Sequence, residues 1–304
     1  MEQVLTVIGN PASRALSQDQ AEATRQILHD AGARTAAIDW LAPGIACDIP
    51  FTGIAPDAAE KTVRRGLAGA RLDLAAQAAA GRRKALLVAD MESTIIAQEM
   101  IDELAERFGL GGRVAAITAR AIAGELGFED ALTTRVALLA GLPEAAIDEV
   151  AARITLNPGA RTLVQTMKSG GAYTALVSGG FTVFTRRVRD TCGFDEDRAN
   201  RLLVEAGALT GRVAEPILGR QAKLAALQEI AAERGVPLAA AIAVGDGAND
   251  AVMLARAGLG VGYRPKAPAR VAADVSIDQG DLTALLYLQG YRADEFVTDT
   301  NLRG

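Results

Sequence analysis

The chain has 304 residues, half of them hydrophobic and 23% charged, which is enough to pack a sizeable core and suggests about two domains. With a net charge of −5 and no basic face in the sequence, nucleic acid is not expected as a partner. No stretch of about 18 apolar residues lacks charges, so no membrane-spanning helix is expected either.

Residues 3–8 (QVLTVI) read as a strand. Ser17 is placed to cap a helix over about 18–31, ended by Gly32. Residues 33–41 read as a second strand and 57–79 as a long helix, giving a small α+β domain over 1–80. The charged run Arg82-Arg83-Lys84 is expected to be a solvated junction. From 85 the texture changes: 85–89, 173–177, 239–245 and 258–263 are short apolar runs separated by helical patterns. That is the signature of a parallel sheet covered on both faces, so the fold class is α/β over 84–304. Residues of about 97–156 hold successive amphipathic patterns, a helical insert between the first and second strands of that sheet.

The N-terminus, MEQVLTVIGNP, has neither a basic n-region nor a long apolar core, and two distant cysteines, Cys47 and Cys192, make no disulfide framework. A cytoplasmic location is expected. The single histidine, His29, leaves a zinc site short of ligands, so carboxylates, lysine and a bound ion must carry any chemistry.

The strand ends supply such groups. The first strand runs into Asp90, the second into Ser178-Gly179-Gly180, and the third into Gly245-Asp246-Gly247-Ala248-Asn249-Asp250. In an open parallel sheet, ligands bind at the carboxyl ends of the strands. Lys223 opens a helical run and can join them. Hard oxygen ligands suit Mg²⁺, which often holds a phosphate as well. Asp90 and Asp246 are suited to ligate it, with Asp250 and Asn249 adding oxygen or orienting the ligands. Ser178 and the Gly179 amide can donate to phosphate oxygens, Gly180 allows close approach, and Lys223 adds positive charge. With the phosphate's charge shielded, Asp90 can attack phosphorus and form an aspartyl-phosphate. Residues i and i+2 of an extended segment share a face, so Glu92 can protonate the leaving group and later deprotonate water.

These residues resemble the four motifs of the haloacid dehalogenase (HAD-like) superfamily phosphatases, and more narrowly the phosphoserine phosphatases among them. The Asp-x-Asp-Ser-Thr signature, followed five residues on by Glu, is matched by Asp90-Met91-Glu92-Ser93-Thr94 and Glu99. The resemblance covers roughly 84–295. It implies a Rossmann-like core with a helical cap, and Mg²⁺ ligated by Asp90, Asp246 and the backbone carbonyl of Glu92. It also implies a substrate ammonium on Glu99 and a carboxylate on Arg135, with Phe128 beside them. The expected reaction is hydrolysis of O-phosphoserine, the final step of serine biosynthesis. Residues 1–80 resemble the ACT-like domains that some members carry.

The family pattern has Asp where Glu92 stands. The extra methylene bears on rate and substrate preference more than on reaction class, because Glu and Asp have similar reference pKa values. Two other readings stay open: a phosphatase or phosphotransferase of the same superfamily acting on another small phosphate, and a non-catalytic phospho-ligand sensor crippled by Glu92. Haloacid dehalogenation needs neither the metal-ligand set nor an acid at 92. The expected partner is a small-molecule substrate, with a homo-oligomer left open.

Overall fold

The structure is a computed structural model that describes residues 2–122 and 125–298. Residues 123 and 124 of the expected cap and 299–304 at the C-terminus lie outside the described residues.

The first 80 residues build an antiparallel sheet with two helices. In chain order the elements are β1 (Gln3–Ile8), α1 (Gln18–Asp30), β2 (Arg34–Thr35), β3 (Asp39–Ala42), β4 (Ala46–Thr52), α2 (Pro56–Gly66) and β5 (Asp73–Ala78). The strand order is β2-β4-β1-β5, with β3 also paired to β4. Ser17 caps α1 as expected: its side chain accepts from the Gln20 amide, and the Gln20 side-chain oxygen accepts from the Ser17 amide. Leu5, Val7, Ile49 and Phe51 pack with Ala21 and Leu28 of α1 and Ala59 and Val63 of α2.

Two expectations are corrected here. The helix read over 57–79 ends at Gly66; Gly69 then takes φ +90°, and 73–78 form β5 paired with β1 over six residues. The alanine-rich sequence favours a helix by propensity, but the open edge of β1 takes it as a strand. The strand read over 33–41 is two short pieces, and the longer β4 at 46–52, which contains Pro50, lies between β1 and them.

The larger sheet begins at β6 (Leu86–Ala89). The cap follows as α3 (Met100–Arg107), α4 (Gly111–Ile122), α5 (Phe128–Ala137) and α6 (Ala145–Ala151). Then come α7 (Ala160–Ser169), β7 (Tyr173–Phe181), α8 (Thr182–Cys192), β8 (Glu196–Asn200), the hairpin β9 (Leu202–Glu205) and β10 (Ala208–Val213), and α9 (Arg220–Glu233). The chain closes with β11 (Ala241–Gly245), α10 (Ala251–Leu254), β12 (Leu259–Tyr263), α11 (Ala267–Ala272), β13 (Val275–Ile277) and α12 (Ala284–Leu288). The sheet order is β13-β12-β11-β6-β7-β8, and every pairing is parallel. Alternate residues serve opposite faces: Leu87, Ala89, Ile242 and Val244 join one core, while Leu86, Val88, Ala241 and Ala243 join another. This double burial explains why these strands are continuous apolar runs. Among the described residues, no helix is long and apolar enough to cross a membrane.

The junction run is not solvated throughout. Arg82 is 10% exposed and pairs with the equally buried Asp48 of β4 at 2.6 Å. Its other nitrogens donate to the carbonyls of Tyr287 and Leu288. On the same side, Asp73 of β5 accepts from the amides of Asp278, Gln279 and Gly280. A charge run is ordinarily a wet surface; here two sheets meet over it, and a carboxylate and two carbonyls at the end of α12 hold Arg82 inside.

Removing one partner of this pair strands a buried charge. Arg82→Ala is expected to lower the unfolding free energy by about 3 kcal/mol. Arg25→Ala, which breaks an exposed pair with Glu22, is expected to cost less than about 1 kcal/mol. Denaturant midpoints at unchanged m-value test both.

Candidate active site

Strands β6 and β11 are neighbours in register, Ala89 opposite Val244, so the residues that follow them, Asp90 and Asp246, emerge side by side. Beneath them lies Lys223, in the first turn of α9 and without solvent exposure. Its ammonium donates to Asp90 Oδ1 at 2.7 Å and to Asp250 Oδ1 at 2.6 Å. The other Asp250 oxygen accepts from the Gly247 amide, which fixes the 245–250 loop on the carboxylate. One oxygen from each of Asp90, Asp246 and Asp250 lies within 4.8 Å of the others.

Burial and the neighbouring Asp250 charge push the Asp90 carboxyl well above its usual range, against the opposing pull of Lys223. Burial likewise raises Asp246, against Lys266. Burial alone would lower Lys223, but Asp250 and Asp90 outweigh it and hold the amine protonated. The cluster is therefore short of positive charge, and its donors are hard carboxylate oxygens. Both facts fit a metal ion held by Asp90, Asp246 and Asp250.

Glu92 sits on the same wall. The backbone is extended at Asp90 and at Glu92, then turns at Ser93 with φ +54°. The extended run expected from Asp90 through Glu92 is interrupted: the strand ends at Ala89 and Met91 opens a turn over Met91–Ile95, yet both acids line one cavity. Glu92 Oε1 accepts from the Met100 amide at the start of α3, 2.8 Å away. A Cβ on Gly180 would lie 2.8 Å from Glu92 Oε2, so a side chain there would push this carboxylate from its place. Burial, with the Glu99 charge second, raises the Glu92 carboxyl to about 7, against the Met100 amide, Lys223 and Arg135.

The cavity measures about 440 Å³. Asp90, Glu92, Gly179, Gly180, Asp246 and Asn249 line its core side, and Glu99, Phe128 and Arg135 its cap side. Phe128 reaches down so closely that a Cβ on Gly179 would meet its ring at 3.0 Å. Glu99 Oε1 accepts from Ser93 Oγ at 2.7 Å. Ser178 and Lys223 are fully buried behind the wall, and the Ser178 hydroxyl accepts from the Gly180 amide. The expected site residues are thus brought together, with Ser178, Lys223 and Asp250 as a buried layer beneath the others.

Three polar residues of the wall were not read from the sequence: Lys266, Asp102 and Thr118. Lys266 donates to Asp246 Oδ2 at 2.8 Å. It follows the end of β12, so the rule that found the other strand-end residues would have found it. Asn200, buried at the end of β8, donates to the Gly179 and Leu218 carbonyls and ties the end of β7 to the chain before α9.

A parallel sheet with acids at adjacent strand ends, a buried lysine between them and a helical roof define a hydrolase of the haloacid dehalogenase kind. Residues 87–255 match the family model for haloacid dehalogenase-like hydrolases. The phosphoserine phosphatase of Streptomyces coelicolor is 39% identical over 299 residues, covering 96% of this chain and 71% of that protein. The phosphoserine phosphatase of Archaeoglobus fulgidus is 42% identical over 233 residues, covering 75% and 68%. The crystal structure of a probable phosphoserine phosphatase from Vibrio cholerae superimposes with a TM-score of 0.77 at 30% identity, covering 95% of this chain and 86% of that one. The chain belongs to the phosphoserine phosphatases within the haloacid dehalogenase-like hydrolases.

A Glu92 carboxyl held near 7 in the fold and near 4.5 when unfolded is favoured neutral by burial. Its stabilising contribution is present below about pH 4.5 and is lost as pH rises to about 7. Gln cannot ionise. In chelator, the stability of Glu92→Gln relative to wild type is expected to improve by roughly 3 kcal/mol between pH 4 and pH 8. Denaturant unfolding at the two pH values checks this, and an unchanged difference contradicts it.

Proposed function

We propose that this chain hydrolyses O-phosphoserine to serine and phosphate with Mg²⁺, through a phosphoryl group carried on Asp90. The observation that carries the reading is one small cavity with the Asp90–Glu92 pair on one side and two opposite charges, Glu99 and Arg135, on the other. A phosphate monoester with an ammonium and a carboxylate matches that division. The parent names of the relatives support the same substrate.

Mg²⁺ would be held by Asp90, Asp246, Asp250 and the Glu92 carbonyl, and would supply positive charge to the phosphate oxygens. Lys223 keeps one Asp90 oxygen engaged at 2.7 Å and so orients the carboxylate. The free Asp90 oxygen attacks phosphorus, the bond to the serine oxygen breaks, and Glu92 gives its proton to that oxygen. Glu92, now ionised, takes a proton from the water that attacks the aspartyl-phosphate. The bond between phosphorus and the Asp90 oxygen breaks and phosphate leaves. A carboxyl near pH 7 suits both proton transfers, because either form is available at neutral pH. The Gly179 amide, with Asn249, binds phosphate oxygens and Gly180 allows their close approach, while Ser178, on the Gly180 amide, and Asp250, on the Gly247 amide, fix the backbone there.

We further infer a small N-terminal domain over 1–80, ACT-like in type, and a phosphatase domain over 84–304 with its cap at about 97–156. The separate core of the first sheet supports that division. The reading includes a role in serine biosynthesis and a cytoplasmic location, in keeping with two free, buried cysteines.

Rates on a panel of phospho-amino acids and sugar phosphates, with Mg²⁺ and with chelator, test the reading. Phosphoserine is expected to be the best substrate and chelator to abolish turnover. Asp90→Asn is expected to cost roughly a thousandfold or more in kcat with the fold intact. Arg135→Ala is expected to raise KM for phosphoserine at least about tenfold more than for p-nitrophenyl phosphate. Equal effects on the two substrates contradict the carboxylate role.

A further inference from the structure

The cap side of the cavity carries more acceptors than the chain's own donors use. Asp102 lies one helical turn after Glu99, at the same end of α3, and its amide donates to the Glu99 carbonyl. Its side chain lines the cavity, yet Asp102 Oδ1 is buried and has no hydrogen-bond partner among the described residues. Facing it on α4, Thr118 Oγ1 is also buried on the cavity wall without a partner. Glu99 already uses Oε1 on the Ser93 hydroxyl. Lys266 is engaged with Asp246, and Arg135 Nε with the Ala131 carbonyl of its own helix. A buried carboxylate oxygen without a donor costs free energy, and two such atoms on one wall point to a ligand that brings several N–H groups.

We propose that Asp102 is a specificity-determining residue that accepts a hydrogen bond from the substrate ammonium beside Glu99, with Thr118 Oγ1 as the third acceptor. An ammonium has three N–H donors, and Glu99, Asp102 and Thr118 are three acceptor-bearing residues that line the one cavity. Asp102 also works against the wrong ligand: its negative charge repels a tail that is anionic there. The inference rests on the reading of the chain as a phosphoserine hydrolase and extends it to a second acidic contact. Burial raises the Asp102 carboxyl, and the Arg135 charge opposes that shift, so both residues answer to one wall.

The test uses the full chain with Mg²⁺, as wild type, Asp102→Asn and Thr118→Val. Four substrates separate the contacts: phosphoserine, phosphoethanolamine with the ammonium alone, 3-phosphoglycerate with the carboxylate alone, and p-nitrophenyl phosphate with neither. Inhibition constants replace turnover where a compound is too slow a substrate. Asn is isosteric, and Asp102 Oδ1 holds no bond that the fold relies on. For Asp102→Asn, kcat/KM for phosphoserine and phosphoethanolamine is expected to fall roughly tenfold relative to p-nitrophenyl phosphate, mainly through KM. The 3-phosphoglycerate ratio is expected to hold or rise, and Thr118→Val to act in the same sense but less. A uniform fall over all four, a fall confined to the carboxylate compounds, or unchanged ratios overturns the inference and leaves the phosphoserine reading standing. A wild type that shows no preference for ammonium substrates overturns both.

Discussion

A protonated lysine with no access to solvent, wedged between two aspartates from different strand ends, holds this site together. Asp90 and Asp250 together offset the cost of burying Lys223, and its charge offsets the repulsion between them. The arrangement needs α9 to deliver its first turn under the sheet edge, β6 and β11 to be neighbours in register, and the 245–250 loop to fold back on Asp250. The clamp also leaves the cluster short of positive charge, because it neutralises less than it gathers. That shortage is what gives the site an appetite for a metal ion and for chemistry on an anionic group.

The second constraint is the cap. Met100, the first residue of α3, donates its amide to Glu92, so the Glu92 carboxyl on the core is held by the roof. Phe128 of α5 touches down at Gly179 and Gly219, positions where a side chain would collide with its ring. The two halves of the cavity therefore meet at a helix N-terminus and at glycines. A charge on the cap and a charge on the core share one small, low-dielectric space, where recognition by charge is strong.

Much of this was legible in the sequence because period and position carry it. Strands buried on both faces must be apolar throughout, and the residues at their carboxyl ends must face the ligand. Asp90, Ser178 and Asp246 were read on that basis, and Lys223 as the start of a helical run able to join them. Where two forces compete, the sequence misleads. Alanine-rich 73–78 has helix propensity, but pairing with β1 makes it a strand. Arg82 has the look of a wet linker, yet Asp48 and the end of α12 draw it inside. Asp102 and Thr118 have no pattern to mark them; only the packing of α3 on α4 brings them to the same cavity.

The account turns on Asp90 as the atom that takes up phosphorus. Rapid acid quench of the Mg²⁺-loaded chain turning over phosphoserine, followed by mass spectrometry of its peptides, tests this directly. It predicts a phosphoryl group on the peptide that contains Asp90, acid-stable and lost in hydroxylamine. Turnover with no phosphorylated peptide at any quench time, or phosphate on another residue, would contradict it.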